Sequence, residues 1–294
     1  MKSTETVRQH VIALRALAVF SLVLGIGYPL LLWLVAQLPG LRSPAEGSII
    51  TDGGKPVASA LLGQAFTDAG GRPLPQYFQG RPSAGDYDPM STGGSNLGPE
   101  SIVDSPARTS LLTQVCTRSR EIGERDGVDG ARAYCTARGV GAVLSVVGPR
   151  DARGSVIRPL RVVSVNEPCG VVPHPFLARY RGVAVECAAP GEDYSAGQLV
   201  PVGGSAPDPP AVPADAVTAG GSGLDPDISP AYAALQIPRV ARARRVSPDQ
   251  LRTLVDTHRH GRTLGFLGEP GVNVVAVNLD LDRRYPVAPR VGGG

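Results

Sequence analysis

The hydrophobic pattern is lopsided. From Ala16 to Leu38 the chain reads ALAVFSLVLGIGYPLLLWLVAQL without a charge. About 23 residues at about 1.5 Å of rise each span a hydrocarbon core of about 30 Å, so the pattern predicts a transmembrane helix. No apolar run of that length recurs downstream, which predicts a single crossing. Pro29 falls mid-span, where the carbonyl it frees needs a neighbouring helix. Gly25 and Gly27 would permit close helix approach, though they are also ordinary membrane-helix composition. A cleaved leader would carry a shorter apolar region, about 7–15 residues, ending at a small-x-small site. This run is longer and passes into Gln37-Leu38-Pro39-Gly40, so an uncleaved anchor is expected. Lys2, Arg8 and Arg15 precede it against Glu5 alone, and Arg42 is the next basic residue. Retention of basic flanks inside predicts a cytoplasmic N-terminal tail (1–15), a helix across the plasma membrane (16–38) and an extracytoplasmic remainder.

Beyond the anchor the periods are short. Segments 48–50 and 58–64 flank Asp52-Gly53-Gly54-Lys55 and predict a hairpin. Residues 79–101 have almost no apolar periodicity, yet Tyr77, Phe78 and Tyr87 lie in or beside them. A polar loop of that length is expected to be functional. Ser105-Pro106 predicts a helix start running to about Arg120, and a shorter helix is expected over 129–138. Runs at 142–147, 156–165, 182–187 and 198–202 are β-branched and bounded by Gly and Pro, which predicts strands. Residues 203–213 have linker composition. A short helix over 213–219 follows, then helices capped by Ser229-Pro230 (to Arg244, interrupted at Pro238) and by Ser247-Pro248 (to about His258). Residues 272–281 alternate as a half-buried strand. The expected fold class is a single N-terminal transmembrane helix plus an α+β extracytoplasmic domain with a β-rich insertion.

Composition narrows the chemistry. A net charge of +3 with no aromatic-interleaved basic run gives no case for nucleic acid. The 37 glycines and 28 prolines imply turns rather than a helical bundle. Cys116, Cys135, Cys169 and Cys187 allow three disulfide pairings. The neighbour pairing, 116 with 135 and 169 with 187, closes two short loops and is preferred, with the others open. There is no C-x-x-C, and His174 sits between Pro173 and Pro175, so no metal site is expected. A hydrolase would have to assemble Ser95 or Ser222 with Asp225 and His258. No G-x-S-x-G elbow is present, and His258 and His260 are spaced off a common helix face. The glycine-rich Gly220–Pro226 turn invites comparison with a phosphate cradle but lacks the Gly-Lys-Ser/Thr ending.

Taken in order, several motifs resemble one family. They are GxxYPLLL (25–32), GSII (47–50), SALLGQAF (59–66), YFQGRPSA (77–84), YDP (87–89) and GGSNLGP (93–99). PADAVTAGGSGLDPDISPAYA (213–233), QIPRVARAR (236–244) and GRTLGFLGEPGVNVVAVNLDLD (261–282) follow. The chain is similar to the C subunit of the Kdp-type potassium-transporting P-type ATPase. The resemblance divides the exterior part into 39–121 and 212–294, separated by a cysteine-containing insertion and linker over 122–211, longer than the family's usual connection. It implies a non-catalytic subunit of a high-affinity potassium uptake complex. The implied partners are a potassium-translocating subunit, a P-type ATPase subunit and a small single-span subunit. The family role is that of a catalytic chaperone raising the ATPase's affinity for ATP. ATP is thus the implied cofactor, through the ATPase subunit; direct nucleotide contact would fall on Ser222, Gly223 and Gln236. Partner docking is expected at Tyr77, Phe78, Arg81, Gly93, Gly94, Ser95 and Asn96. The opposing expectation is an unrelated extracytoplasmic binding module or hydrolase.

Overall fold

The computed structural model describes residues 2–287 in two compact units, one ending at Leu61 and the other beginning at Leu62. In the first, helix α1 (Lys2–Leu22) runs through a π-helical turn, Val23–Gly27, into α2 (Tyr28–Ala36). The π turn has a local cause. Pro29 donates no hydrogen bond, and its ring crowds the carbonyl four residues back at Gly25; the Tyr28 N–H donates instead to the Val23 carbonyl. Residues 5–35 are all exposed, and Glu5–Ala36 is long and apolar enough to cross a membrane. The helix therefore begins well before the uncharged run. A short α3 (Arg42–Ala45) leads to a hairpin of β1 (Ile49–Asp52) and β2 (Lys55–Ser59). Its turn residues Gly53 and Gly54 have φ of +55° and +78°, the left-handed pair that a two-residue hairpin turn needs.

The second unit opens with a long irregular stretch, 62–110, and then α4 (Leu111–Asp126). The expected start at Ser105-Pro106 is wrong. Ser105 and Arg108 close a tight turn on each other, while Ser110 caps the helix by accepting the Thr113 N–H at 3.2 Å. Asp104 decides the contest, because its carboxylate accepts both the N–H and the hydroxyl of Ser110, at 2.8 and 2.6 Å. No helix forms over 129–138 either. That segment lies so close to α4 that a Cβ on Gly130 would meet the Ser119 carbonyl oxygen at 2.6 Å, and Cys135 is bonded to Cys116 of α4.

Strands β3 (Val143–Val147), β4 (Arg161–Pro168), β5 (Arg179–Tyr180), β6 (Val183–Ala188) and β7 (Gln198–Pro201) form one sheet, ordered β5-β6-β4-β3-β7. Only the β4–β6 pair is parallel. Leu144, Val146, Val156, Val162 and Val185 make its own small core. The second disulfide ties Cys187 within β6 to Cys169 just after β4, and both bridges join neighbouring cysteines of the sequence, with Cα separations of 5.4 and 5.1 Å.

After α5 (Ala214–Val217) and β8 (Asp227–Ile228) comes α6 (Pro230–Arg244), capped by Ser229. Pro238 does not interrupt it. Pro238 is exposed while Ile237, Val240 and Ala241 are buried, and that packing carries the helix through. Helix α7 (Pro248–Thr257) has a Ser247/Gln250 capping box and buries Leu251, Leu254 and Val255. The three-stranded sheet β8-β10-β9 uses β9 (Arg259–His260) and β10 (Gly271–Asn273). The expected strand over 272–281 is corrected: only its start is extended, and α8 (Val274–Arg284) follows. Val274, Val277, Asn278 and Leu281 are buried at helical spacing, and the Asn273 side chain accepts the Ala276 N–H as a cap. The main core packs α6, α7 and α8 around Phe78, Tyr232, Ile237, Leu251 and Leu281.

Replacing Cys116 and Cys135 together by serine reopens a loop of 19 residues. It is expected to cost about 3 kcal/mol by loop-closure entropy, measurable by chemical denaturation.

Candidate docking surface

The irregular stretch 63–98 is held in place by side chains of α6 and α8. Asn278 accepts the Phe78 N–H at 2.9 Å and donates to the Phe78 carbonyl at 2.8 Å. Gln236 does the same for Gln79, at 2.7 and 3.1 Å. Each carboxamide thus replaces a neighbouring strand for one residue, and both are buried, at 1% and 0% exposure. Arg239 donates to the carbonyls of Pro75 and Tyr77 and to Asp126, at 2.7, 2.9 and 2.6 Å. Arg244 donates to the Gln76 carbonyl at 2.9 Å, pairs with Asp282 at 2.8 Å, and lies 4.8 Å from the Tyr77 ring centre. The Tyr77 hydroxyl donates to Asp282 at 3.0 Å, and burial followed by that carboxylate's charge raises its pKa.

Beyond this clamp, three loops interlock. The Ser83 hydroxyl donates to the Gly223 carbonyl at 2.7 Å, the Gly93 N–H to that of Ser222 at 2.9 Å, and the Gly63 N–H to that of Leu224 at 2.7 Å. Arg81 pairs with Asp225 at 3.0 Å. Tyr87 fills the junction, its hydroxyl donating to the Arg81 carbonyl at 2.5 Å. A Cβ on Gly63 would stand 2.3 Å from that ring, and one on Gly80 would stand 2.4 Å from its hydroxyl. Burial, then the charge of Asp225, pushes the Tyr87 phenol up to about 12.

The expected site residues fall at different depths. Arg81, Gly93, Gly94 and Ser222 meet on this surface, with Gly93, Ser222 and Asn96 exposed and Ser95 half-buried. Gly223 is buried there with φ +71°. Phe78 and Gln236 lie beneath, in the core, and Tyr77 is turned towards Asp282. A cleft of about 850 Å³ adjoins Arg81 and is lined by Arg72, Arg118, Arg125 and Tyr232 among others. Asn278, Arg239, Arg244 and Tyr87 are the residues that sequence reasoning left without a role. Each arginine lies three or four residues from a buried position of the capped helix, Arg239 from Gln236 and Arg244 from Val240, and that placement is the signal that could have found them. The histidine a hydrolase would use, His258, lies 3.1 Å from Asp280. Burial pushes the Asp280 carboxyl up, but hydrogen bonds from His258 and Arg284 outweigh it and hold it below its ordinary value.

Among the described residues, one helix long and apolar enough to cross a membrane precedes an α+β domain with an interlocked loop surface, the architecture of a candidate membrane-anchored protein. The family model described as "K+-transporting ATPase, c chain" (KdpC) matches residues 10–126 and 198–283. Potassium-transporting ATPase KdpC subunits are similar along most of their length. That of Kineococcus radiotolerans is 33% identical over 285 residues, covering 96% of this chain and 97% of the relative. Those of Gemmatimonas aurantiaca and Mycobacterium bovis are 35% and 32% identical, covering 95% and 94% of this chain and 94% and 98% of the relatives. The chain belongs to the KdpC family. Residues 127–197, which carry three of the cysteines and four of the five strands of the larger sheet, fall between the two matched blocks.

Gln236→Leu removes both partners of the buried Gln79 backbone and is expected to cost about 2–6 kcal/mol in chemical denaturation, at about 1–3 kcal/mol for each of the two orphaned groups. Asp280 stabilises the fold above the ordinary carboxylate range and ceases to do so as pH falls through its lowered value. Asp280→Asn should therefore flatten the acid limb of a stability–pH profile below about pH 4.

Proposed function

We propose that this chain is a non-catalytic subunit of an ATP-driven, high-affinity potassium uptake complex and that it acts by contact. Its anchor crosses the plasma membrane with the N-terminus in the cytoplasm, and the domain beyond stands outside. The basic flank Lys2, Arg8 and Arg15 favours that direction, and two disulfides suit an oxidising exterior. The partners are those the family membership implies: the translocating subunit, the P-type ATPase subunit and the small single-span subunit. The observation that carries the proposal is the interlocking of loops 63, 80–96 and 220–225. A surface built in advance loses little entropy on docking, which is what a brace requires.

The chaperone role follows as linkage. ATP is hydrolysed in the cytoplasm, so an exterior domain raises ATP affinity by favouring one state of its partners, and by reciprocity nucleotide strengthens its docking. Direct contact at Ser222, Gly223 and Gln236 is the other route to the same effect. Two of those three residues are buried, which favours the indirect one. We assign 127–197 as a disulfide-stapled decoration with its own small core.

Gly93 is exposed, with open space where a side chain would go, so Gly93→Arg should fold normally. It should weaken co-purification with the partner subunits by about 30-fold or more, the loss of one central contact of about 2 kcal/mol. Potassium-stimulated ATPase activity should then show a lower apparent affinity for ATP. Normal assembly with normal ATP dependence would count against docking here.

A further inference from the structure

We propose that the loop joining β9 to β10 inserts its apolar tip into the surface of the bilayer that the anchor crosses; this rests on the membrane reading above. Residues 259–269 are all exposed, and within four positions Leu264, Phe266 and Leu267 are 78%, 68% and 50% exposed. The loop is built rather than loose. Thr263 and Leu267 exchange N–H···O=C bonds of 2.8 and 2.9 Å, the Gly265 N–H donates to the Arg262 carbonyl at 3.1 Å, and Arg262 pairs with Glu269 at 2.7 Å. Its base is fixed in the core by the pairing of Arg259 with buried Val272, and His260 lies 3.2 Å from Asp227.

Two features point to lipid. Leu264 has φ +56°, a conformation that a water-facing turn fills with Gly or Asn; here a large apolar side chain occupies it and is fully presented. Part of the tip is bonded internally, with the N–H groups of Thr263, Gly265, Phe266 and Leu267 all donating to carbonyls of the same loop, which lowers the cost of leaving water. Arg259, exposed at the base, suits a lipid phosphate. A domain tethered to the same membrane works at high effective concentration, so three side chains suffice.

All four native cysteines are in disulfides, so Phe266→Cys in the full chain takes an environment-sensitive dye at that position alone. In nanodiscs of phosphatidylcholine and phosphatidylglycerol without the other subunits, its emission should shift to the blue and be quenched by brominated lipid. Leu31→Cys in the anchor should be quenched too, and Val171→Cys, on another exposed loop, should not. Quenching at 31 without quenching at 266 overturns the loop assignment and leaves the anchor standing; no quenching at 31 overturns both. Equal quenching at 171 shows indiscriminate adherence, and a shift at 266 that needs the partner subunits assigns the loop to a protein pocket. Either result contradicts the proposal.

Discussion

Two carboxamides hold the irregular stretch on which this domain's loop surface is built. Gln236 and Asn278 each satisfy the N–H and the carbonyl of one residue in a stretch that has no strand beside it. A buried backbone without partners costs as much as lost hydrogen bonds, so irregular chain normally stays at the surface. Here Phe78 and Gln79 pass into the core because α6 and α8 supply side-chain substitutes, with Arg239 and Arg244 covering three more carbonyls on the approach, those of Pro75, Gln76 and Tyr77. Asp126 offsets Arg239 at 2.6 Å, so the buried cation is paired as well as hydrogen-bonded. With 75–79 fixed, Arg81, Ser83 and Tyr87 are positioned, and through them the glycine-rich turn at 220–225.

Glycine has a specific part at only a few points. Gly63 and Gly80 leave room for the Tyr87 ring, and Gly223 takes a left-handed conformation against Ser83 and the Gly93 carbonyl. These glycine-rich loops are therefore tightly bounded. Under the contact role proposed above, that rigidity is the useful property.

The parts legible in the sequence were those with one dominant signal: the uncharged run, the Gly53-Gly54 hairpin, the β-branched strands, and the caps at Ser229 and Ser247. Failures came where two signals competed. Ser105-Pro106 resembles a cap as closely as Ser110 does, and only the Asp104 carboxylate, six residues before Ser110, favours the latter. VNVVAVNLDL fits both a period of two and a helical face, and Asn273 as a cap decides for the helix. Motif order revealed the family, and the glycines and Arg81 of the interlocked loop surface were named from it. The depth of Phe78 and Gln236 was not legible, because a motif marks a constrained residue without saying whether the constraint lies inside or outside. Asn278 was hidden by the strand assignment, which would have made it one of several alternating polar positions.

The central claim is that the loop surface exists before any partner arrives. Amide hydrogen exchange of the full chain in lipid, free of its partners, tests it most directly. The account predicts that the N–H groups of Phe78, Gln79, Gly63 and Gly93 exchange nearly as slowly as those in the middle of α6 and α8. Exchange at the rate of an open, solvent-exposed loop would contradict it.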